Sequence, residues 1–312
     1  MMEIIKLRHP YQPAEIPADD VVLVLGFFDG VHRGHQEVIE TGRKIAKEKN
    51  LKLAVMTFNQ HPAVVFQKVD RNPVNYLSNL TQKEELMAKL QVDILYEVAF
   101  TSAFAAQPPQ DFVDQYIVGL HAKVAVSGFD YTYGKGAEAD VAHLPEYAKG
   151  RFEVVTVPKQ VDHDEKISSS RIRNLLTEGN LEEANRLLGY VYETSGTVIH
   201  GDARGRELGY PTANIQSDEQ MVLPKVGVYV NEILVGGHWY PAMGSIGHND
   251  TFGPHRKKTV ELNILDFNQD IYGEEVRVRW LHFIRGQVKF NSAEELIAQL
   301  DQDEAATRNY FA

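Results

Sequence analysis

His32 and His35 stand three residues apart, just after an apolar run at residues 21–25, in a stretch punctuated by Gly26, Gly30 and Gly34. A glycine-rich exit from a strand into a helix offers unpaired backbone N–H groups at the positive end of a helix dipole, where a phosphate can bind. Imidazoles three apart can face one ligand from a helix entrance, and neutral or protonated imidazole donates to phosphate oxygens. Two plainer readings compete: a tight turn with surface histidines, and a metal site using His32, His35 and His61. There is no H-E-x-x-H pattern, and this stretch does not fix a third ligand.

A second cluster lies at residues 167–173, where Ser168, Ser169 and Ser170 precede Arg171 and Arg173. Serines at a helix start supply cap acceptors and hydroxyl donors. Arginines in a first helical turn oppose the dipole, so the pattern points to an anion there. The plain alternative is an ordinary capped helix.

A third stretch, residues 196–215, carries Gly201, Arg204, Gly205 and Gly209 before Pro211, Thr212 and Asn214, without the G-K-[ST] of a Walker A loop. Pro211 fixes its own φ and biases Tyr210 to an extended conformation, which would hold Thr212 rigidly. A fixed hydroxyl near phosphates can ligate Mg²⁺. In residues 260–267, strand alternation puts Val260, Leu262 and Ile264 on one face and Glu261 and Asn263 on the other. A carboxylate so placed is either solvated or positioned for proton transfer.

The elements that must position these groups change character along the chain. Residues 21–25, 51–58, 94–99, 123–127 and 152–157 read as strands, with helical patterns at 36–49, 81–90, 112–120, 169–178 and 181–188; Thr81 stands at the helix start as an N-cap. Alternating strands and helices predict a parallel sheet covered on both faces, with ligands outside the carboxyl ends of its strands. Beyond about residue 189, strand patterns at 194–200, 227–235, 242–246, 259–267 and 274–283 predict an antiparallel barrel or sandwich, closed by a helix over 292–311. The expected division is residues 1–186 and 187–312.

The 312 residues carry a net charge of −11, with 21 basic against 26 acidic residues before position 187 and 11 against 17 after it. Neither half suits tracking along nucleic acid or an anionic membrane, so phosphate must be held by local groups. The absence of cysteine excludes a disulfide framework, a thiolate nucleophile and Cys-ligated metal. Residues 1–10 contain Glu3, Lys6, Arg8 and His9 and no apolar run, so no signal peptide is expected. No run approaches the roughly 20 apolar residues of a spanning helix, and a cytoplasmic location is expected.

Taken together, the first two clusters resemble the HxGH nucleotidylyltransferases with their I-S-S-[ST]-x-x-R signature. The whole chain more closely resembles the bacterial bifunctional riboflavin kinase/FAD synthetase family. Residues 57–62 (TFNQHP) are similar to that family's T-F-x-P-H-P, with Gln60 for proline; residues 128–134 (GFDYTYG) are similar to G-x-D-F-x-F-G, with tyrosines for phenylalanines. The P-T-A-N signature at 211–214, a V-E-x-x-x-x-D-F strand at 260–267 and a G-x-N-P-T-F-like run at 247–252, with Asp250 for proline, resemble the riboflavin kinase domain.

The resemblance implies a nucleotidylyltransferase-like, Rossmann-like parallel sheet, followed by an antiparallel kinase barrel with a terminal helix. It implies phosphorylation of riboflavin to FMN by the second part and adenylylation of FMN to FAD, with pyrophosphate release, by the first. Glu261, His32 and His35 are the implied catalytic residues. Gly26, Phe27, Asp29, Ser168, Ser169, Ser170, Arg171 and Arg173 would bind ATP for adenylylation, and Asn59, His61, Asp130 and Tyr131 the flavin. Gly201, Arg204, Gly205, Gly209 and Pro211 would bind ATP in the kinase, with Thr212 and Asn214 on Mg²⁺. ATP, riboflavin, FMN and FAD are the implied substrates and products, with no nucleic-acid or membrane partner. Rival readings are an adenylyltransferase for another phosphate, a non-enzymatic flavin binder and a metal-dependent hydrolase.

Overall fold

The computed structural model describes residues 1–66, 75–134, 138–201, 205, 208–248 and 258–312. Two compact units divide the chain, one drawn from Met1–Val74 and Ser78–Ser168, the other from Asn75–Leu77 and Ser169–Ala312.

The first unit is a six-stranded parallel sheet: β1 (Glu3–Leu7), β2 (Val21–Leu25), β3 (Lys52–Phe58), β4 (Ile94–Val98), β5 (Ala122–Gly128) and β6 (Glu153–Val157), in the order β1-β4-β3-β2-β5-β6. All five residues of β2 are buried, so the strand reads as an unbroken apolar run rather than an alternation. Val22 and Val24 face α1 (Arg33–Lys49) through Val38, Ile39 and Ala46; Val21, Leu23 and Leu25 belong to the cluster on the other face, with Phe104, Phe112 and Tyr116. The shorter helices are α2 (Ala63–Phe66), α3 (Leu80–Lys89), α4 (Ser102–Ala105), α5 (Pro109–Val113) and α6 (Leu144–Ala148). A small hairpin, β7 (Val161–Asp162) and β8 (Glu165–Lys166), ends the unit.

Some details differ from expectation. The cap of α3 is Asn79, whose side chain accepts the Gln82 amide while Gln82 answers to the Asn79 amide; Thr81 lies inside the helix. The helical pattern over 112–120 is α5 running into a π turn at Asp114–Val118. Strand β1 was not expected; it pairs with β4 as an edge strand, four of its five side chains not fully buried.

In the second unit, α7 (Ser169–Glu178) and α8 (Leu181–Leu188) precede six antiparallel strands: β9 (Glu193–Ile199), β10 (Ala213–Ser217), β11 (Gly227–Val235), β12 (His238–His248), β13 (Lys258–Ile264) and β14 (Glu275–Arg285). They close in the order β10-β13-β12-β11-β14-β9, with β9 returning to β10. Closure decides between barrel and sandwich, and it removes the unpaired edges that an open sheet exposes. Helix α9 (Ala293–Phe311) ends the chain, capped by Ser292 Oγ, which accepts the Glu295 amide at 3.2 Å. Among the described residues, no helix is long and apolar enough to cross a membrane.

Candidate functional site

In the first unit the sheet order turns around β2, with β3 on one side and β5 on the other. That switch opens a crevice at the carboxyl ends of the strands. Three of the predicted motifs leave from there: residues 26–35 after β2, residues 59–62 after β3 and residues 129–134 after β5.

His32 is buried and caps α1: its Nδ1 accepts the His35 amide at 3.2 Å. An accepting Nδ1 leaves the ring proton on Nε2, so His32 is set up as an Nε2–H donor. The two imidazoles stack with centroids 3.6 Å apart and 16° between planes, and Phe28 meets His35 edge-on at 5.3 Å. Gly34 permits this, since a Cβ there would lie 3.2 Å from the His32 ring. Burial, then the neighbouring His32, Lys83 and Lys166, hold the His35 pKa well below its ordinary value. His35 Nδ1 is buried with no hydrogen-bond partner among the described residues. It therefore offers a dipole rather than the positive charge that sequence also allowed.

Asp29 is buried and accepts the Ser78 amide at 3.4 Å, while Gly30 N–H donates to Ser78 Oγ at 3.0 Å. Gly26 N–H donates to Met56 O at 3.3 Å. The Phe27 ring packs edge-on to His61 at 5.1 Å. His61 Nδ1 accepts the Ala63 amide at 3.1 Å, and Asn59 Oδ1 accepts the Phe100 amide at 2.9 Å. Asp130 is exposed and paired with Lys166. Tyr131 packs against the core, and its hydroxyl is buried without a partner among the described residues, which pushes its pKa up. Ser168 closes this unit in sequence. Among the described residues no cluster of three His, Asp or Glu could hold a metal, so His32, His35 and His61 do not form one.

Sequence reasoning missed Lys83. It is 3% exposed, with Nζ donating to Phe27 O at 2.8 Å and Thr57 Oγ1 at 3.2 Å. In sequence it sits among T-Q-K-E-E, a pattern that reads as a solvated helix face.

In the second unit, α7 begins at Ser169, so Ser169, Ser170, Arg171 and Arg173 occupy its first turns. Arg171 pairs with Glu183 of α8 at 3.2 Å, and Arg173 Nε donates to Asn75 O at 2.8 Å. These partners stabilise the arginines against the dipole without any anion.

On the barrel, Asn214 and Glu261 are register partners across β10 and β13. Directly opposed residues of an antiparallel pair carry their side chains on one face with Cβ atoms about 5 Å apart. Thr212 lies two residues before Asn214, and Asn263 two after Glu261; Asn263 Nδ2 donates to Pro211 O at 2.8 Å. The strand alternation predicted for 260–264 is observed, with Val260, Leu262 and Ile264 buried. A Cβ on Gly201 would lie 2.3–2.5 Å from the Asn214 amide, so that amide is seated against the Gly201 backbone. Gly205 O accepts the amides of Leu208 and Tyr210 at 3.1 and 2.8 Å, and Gly209 takes φ 84°, which shapes the turn into Pro211. A cavity of about 300 Å³ lies beside Pro211 and Thr212, walled by Leu262, Ile264, Phe267 and Tyr272. Arg204 and residues 249–252 lie outside the described residues.

A FAD synthetase family model matches residues 15–171, and a riboflavin kinase family model matches residues 188–311. The chain belongs to the bifunctional riboflavin kinase/FMN adenylyltransferase family. The family's protein from Listeria monocytogenes is 51% identical over 100% of this chain and 99% of its own length. That from Bacillus subtilis is 41% identical over 100% and 99%. A crystal structure described as a macrolide-efflux protein from Streptococcus pneumoniae has the same fold, with TM-score 0.90, 40% identity and coverage of 98% of this chain and 99% of that one.

Proposed function

We propose that this bifunctional enzyme divides its chemistry at residues 186–187, with FMN adenylylation before that point and riboflavin phosphorylation after it. The observation that carries the kinase assignment is the register pairing of Glu261 with Asn214, beside Thr212. An alcohol nucleophile must lose its proton as the new O–P bond forms. Glu261 accepts that proton from the ribityl 5′-hydroxyl, the γ-phosphoryl moves to oxygen, and the bond to ADP breaks. The carboxylate is a weak base, so it orients the hydroxyl first and takes the proton late.

Thr212 and Asn214 fit Mg²⁺: both offer neutral hard oxygen, and the Asn214 amide is held in place against Gly201. Bound there, Mg²⁺ would neutralise charge on the ATP phosphates. Gly201, Arg204, Gly205, Gly209 and Pro211 form the nucleotide loop, and the cavity beside Pro211 has the apolar walls a purine needs.

In adenylylation the nucleophile is already a phosphate anion, so no base is required. Catalysis is positioning together with donors aimed at the α-phosphate and the leaving pyrophosphate. His32 Nε2–H and His35 supply donors next to Gly26, Phe27 and Asp29. Ser168, Ser169, Ser170, Arg171 and Arg173 are assigned to phosphate oxygens; Asn59, His61, Asp130 and Tyr131 are assigned to the flavin. The substrates are small molecules, and the expected compartment is the cytoplasm.

The test is separation of flavins after incubation with Mg²⁺, ATP and either riboflavin or FMN. Riboflavin should give FMN and then FAD, and FMN should give FAD with one pyrophosphate each. Accumulation of neither product overturns the assignment.

A further inference from the structure

The α3-facing side of the parallel sheet is apolar for most of its length and turns polar at its carboxyl end. On β3, Leu53 and Val55 are followed on that face by Thr57; on β4, Leu95 is followed by Glu97. Thr57 and Glu97 are register partners, and both are buried. Lys83 descends from α3 onto this end, its Nζ 4.2 Å from the centroid of the Phe27 ring. Thr57 Oγ1 donates to the same Phe27 carbonyl at 2.7 Å that Lys83 holds at 2.8 Å. Burying an ammonium is costly even when paired, and a methionine would fill the same space. Packing alone therefore does not account for a lysine here.

What Lys83 holds is strained backbone. Phe28, Gly30 and Val31 all have positive φ, at 54°, 75° and 36°. A β-branched residue in that region is an outlier, and such strain persists only where the surroundings over-determine it. The other ties are Gly30 to Ser78, Ser78 to Asp29, and Gln36 Nε2 donating to Val31 O at 2.8 Å. His32 follows directly.

We infer that Lys83 is a positioning residue for adenylyl transfer: through the Phe27 carbonyl and ring it holds residues 27–31 in the strained path that presents His32 and His35 to the nucleotide. This rests on the adenylyl assignment above. The charged groups facing the ammonium are Asp29 in the turn after β2, Glu97 on β4 and His35 on α1. Burial lowers the Lys83 pKa to about 8, against the opposing pull of Asp29 and Glu97. Burial and the neighbouring Glu84 raise the Glu97 pKa, with Lys6 and Lys83 opposing. The charged tie is thus present at neutral pH and lost through about pH 8.

The experiment uses the full-length protein, with both activities followed in one preparation. Wild-type kcat/KM for FAD formation should fall as pH rises through about 8, with no such limb in FMN formation. Lys83→Met should lower adenylyl kcat about 10–100-fold at pH 7, the cost of a misplaced reacting geometry. Its alkaline limb should vanish, and its kinase rate should stay within about twofold of wild type. Glu97→Gln removes a carboxylate beside the ammonium and should move the limb to lower pH. A flat wild-type profile overturns the inference; so does a Lys83→Met protein that adenylylates within about twofold of wild type or loses both activities in parallel. If Lys83→Met does not fold, the wild-type and Glu97→Gln profiles decide, and a limb that stays or rises in Glu97→Gln overturns it. Wild-type protein that makes no FAD overturns the adenylyl assignment itself, and this inference with it.

Discussion

In the parallel-sheet unit the candidate reacting groups sit on loops that leave strand ends; in the barrel they sit on or beside paired strands. Residues 26–32 keep three positive-φ positions only because side chains from β3, α3 and α1 hold them. Asn214 and Glu261 need no such ties, because the ladder between β10 and β13 fixes them opposite each other. The chemistry differs in the same sense. A hydroxyl nucleophile needs a carboxylate, and a strand holds one rigidly. A phosphate nucleophile needs donors that wrap it, and a glycine-rich loop supplies those. The loop site should thus be vulnerable through residues that never touch substrate, and the barrel site chiefly through residues that do.

The largest effect expected is at Glu261. Glu261→Gln keeps size and some hydrogen bonding but cannot take a proton. FMN formation should fall about 10²–10⁴-fold, while FAD formation from supplied FMN continues. Retention of kinase rate within about twofold would remove Glu261 from proton transfer and break the contrast between the two sites.

His35→Ala comes next, with FAD formation down about 10²–10³-fold, the usual loss for one preorganised donor. FMN formation should be nearly unchanged. Because His35 is held neutral by burial, its contribution should not disappear between pH 7 and 8, where an imidazolium would already be lost. A steep fall over that interval in Lys83→Met, where the limb from Lys83 is absent, would show that His35 acts as a cation.

Gly201→Ala sharpens the comparison from the other side. The new methyl would collide with the Asn214 amide, whose atoms lie 2.3–2.5 Å from its position. The ladder keeps the β10 backbone in place, so the amide alone must move. The kinase rate should drop about 10-fold, with a higher Mg²⁺ requirement and adenylylation untouched. An unchanged Mg²⁺ requirement would separate Asn214 from the metal.

Much of this was legible in the sequence, for identifiable reasons. Helices α7 and α8 fall where predicted because periodic leucines and isoleucines bury one face: Ile172, Leu176, Leu181, Leu187 and Leu188 are all fully buried. Strand β2 is an unbroken buried run. Strand β1 was missed because an edge strand carrying Glu3 and Lys6 lacks that signal. The cap of α3 was misplaced because Asn79-x-x-Gln82 and Thr81-x-x-Glu84 are both capping boxes, and only packing chooses between them. Lys83 was invisible because its burial depends on a loop more than fifty residues away. The packing seam at Ser168–Ser169 was also hidden. Asn185, on α8, donates to Trp280 O at 3.0 Å and accepts the Tyr192 amide at 2.8 Å, which binds the helix to the barrel unit. A kinase fragment begun at Ser169 should therefore melt more cooperatively than one begun at Leu187, which exposes barrel surface that α8 covers.

The smallest effect has the most telling sign. Lys83 has a folded pKa of about 8 against an ordinary 10.5. Between those values the unfolded chain binds the extra proton, so stability rises with pH across the window and the full cost is present at pH 7. A depression of about 2.5 pH units amounts to roughly 3 kcal/mol. Lys83→Met removes that cost but also two hydrogen bonds, worth about 1 kcal/mol each. Thr57 still donates to the Phe27 carbonyl, so that acceptor is not orphaned. The variant should consequently be about 1 kcal/mol more stable than wild type at pH 7, with the gain shrinking toward pH 10. Denaturant melts of the two proteins across that range measure it. A lysine kept for packing would instead lose stability together with activity. Stability gained while adenylylation falls would mark a loop site whose geometry is maintained at the expense of the fold.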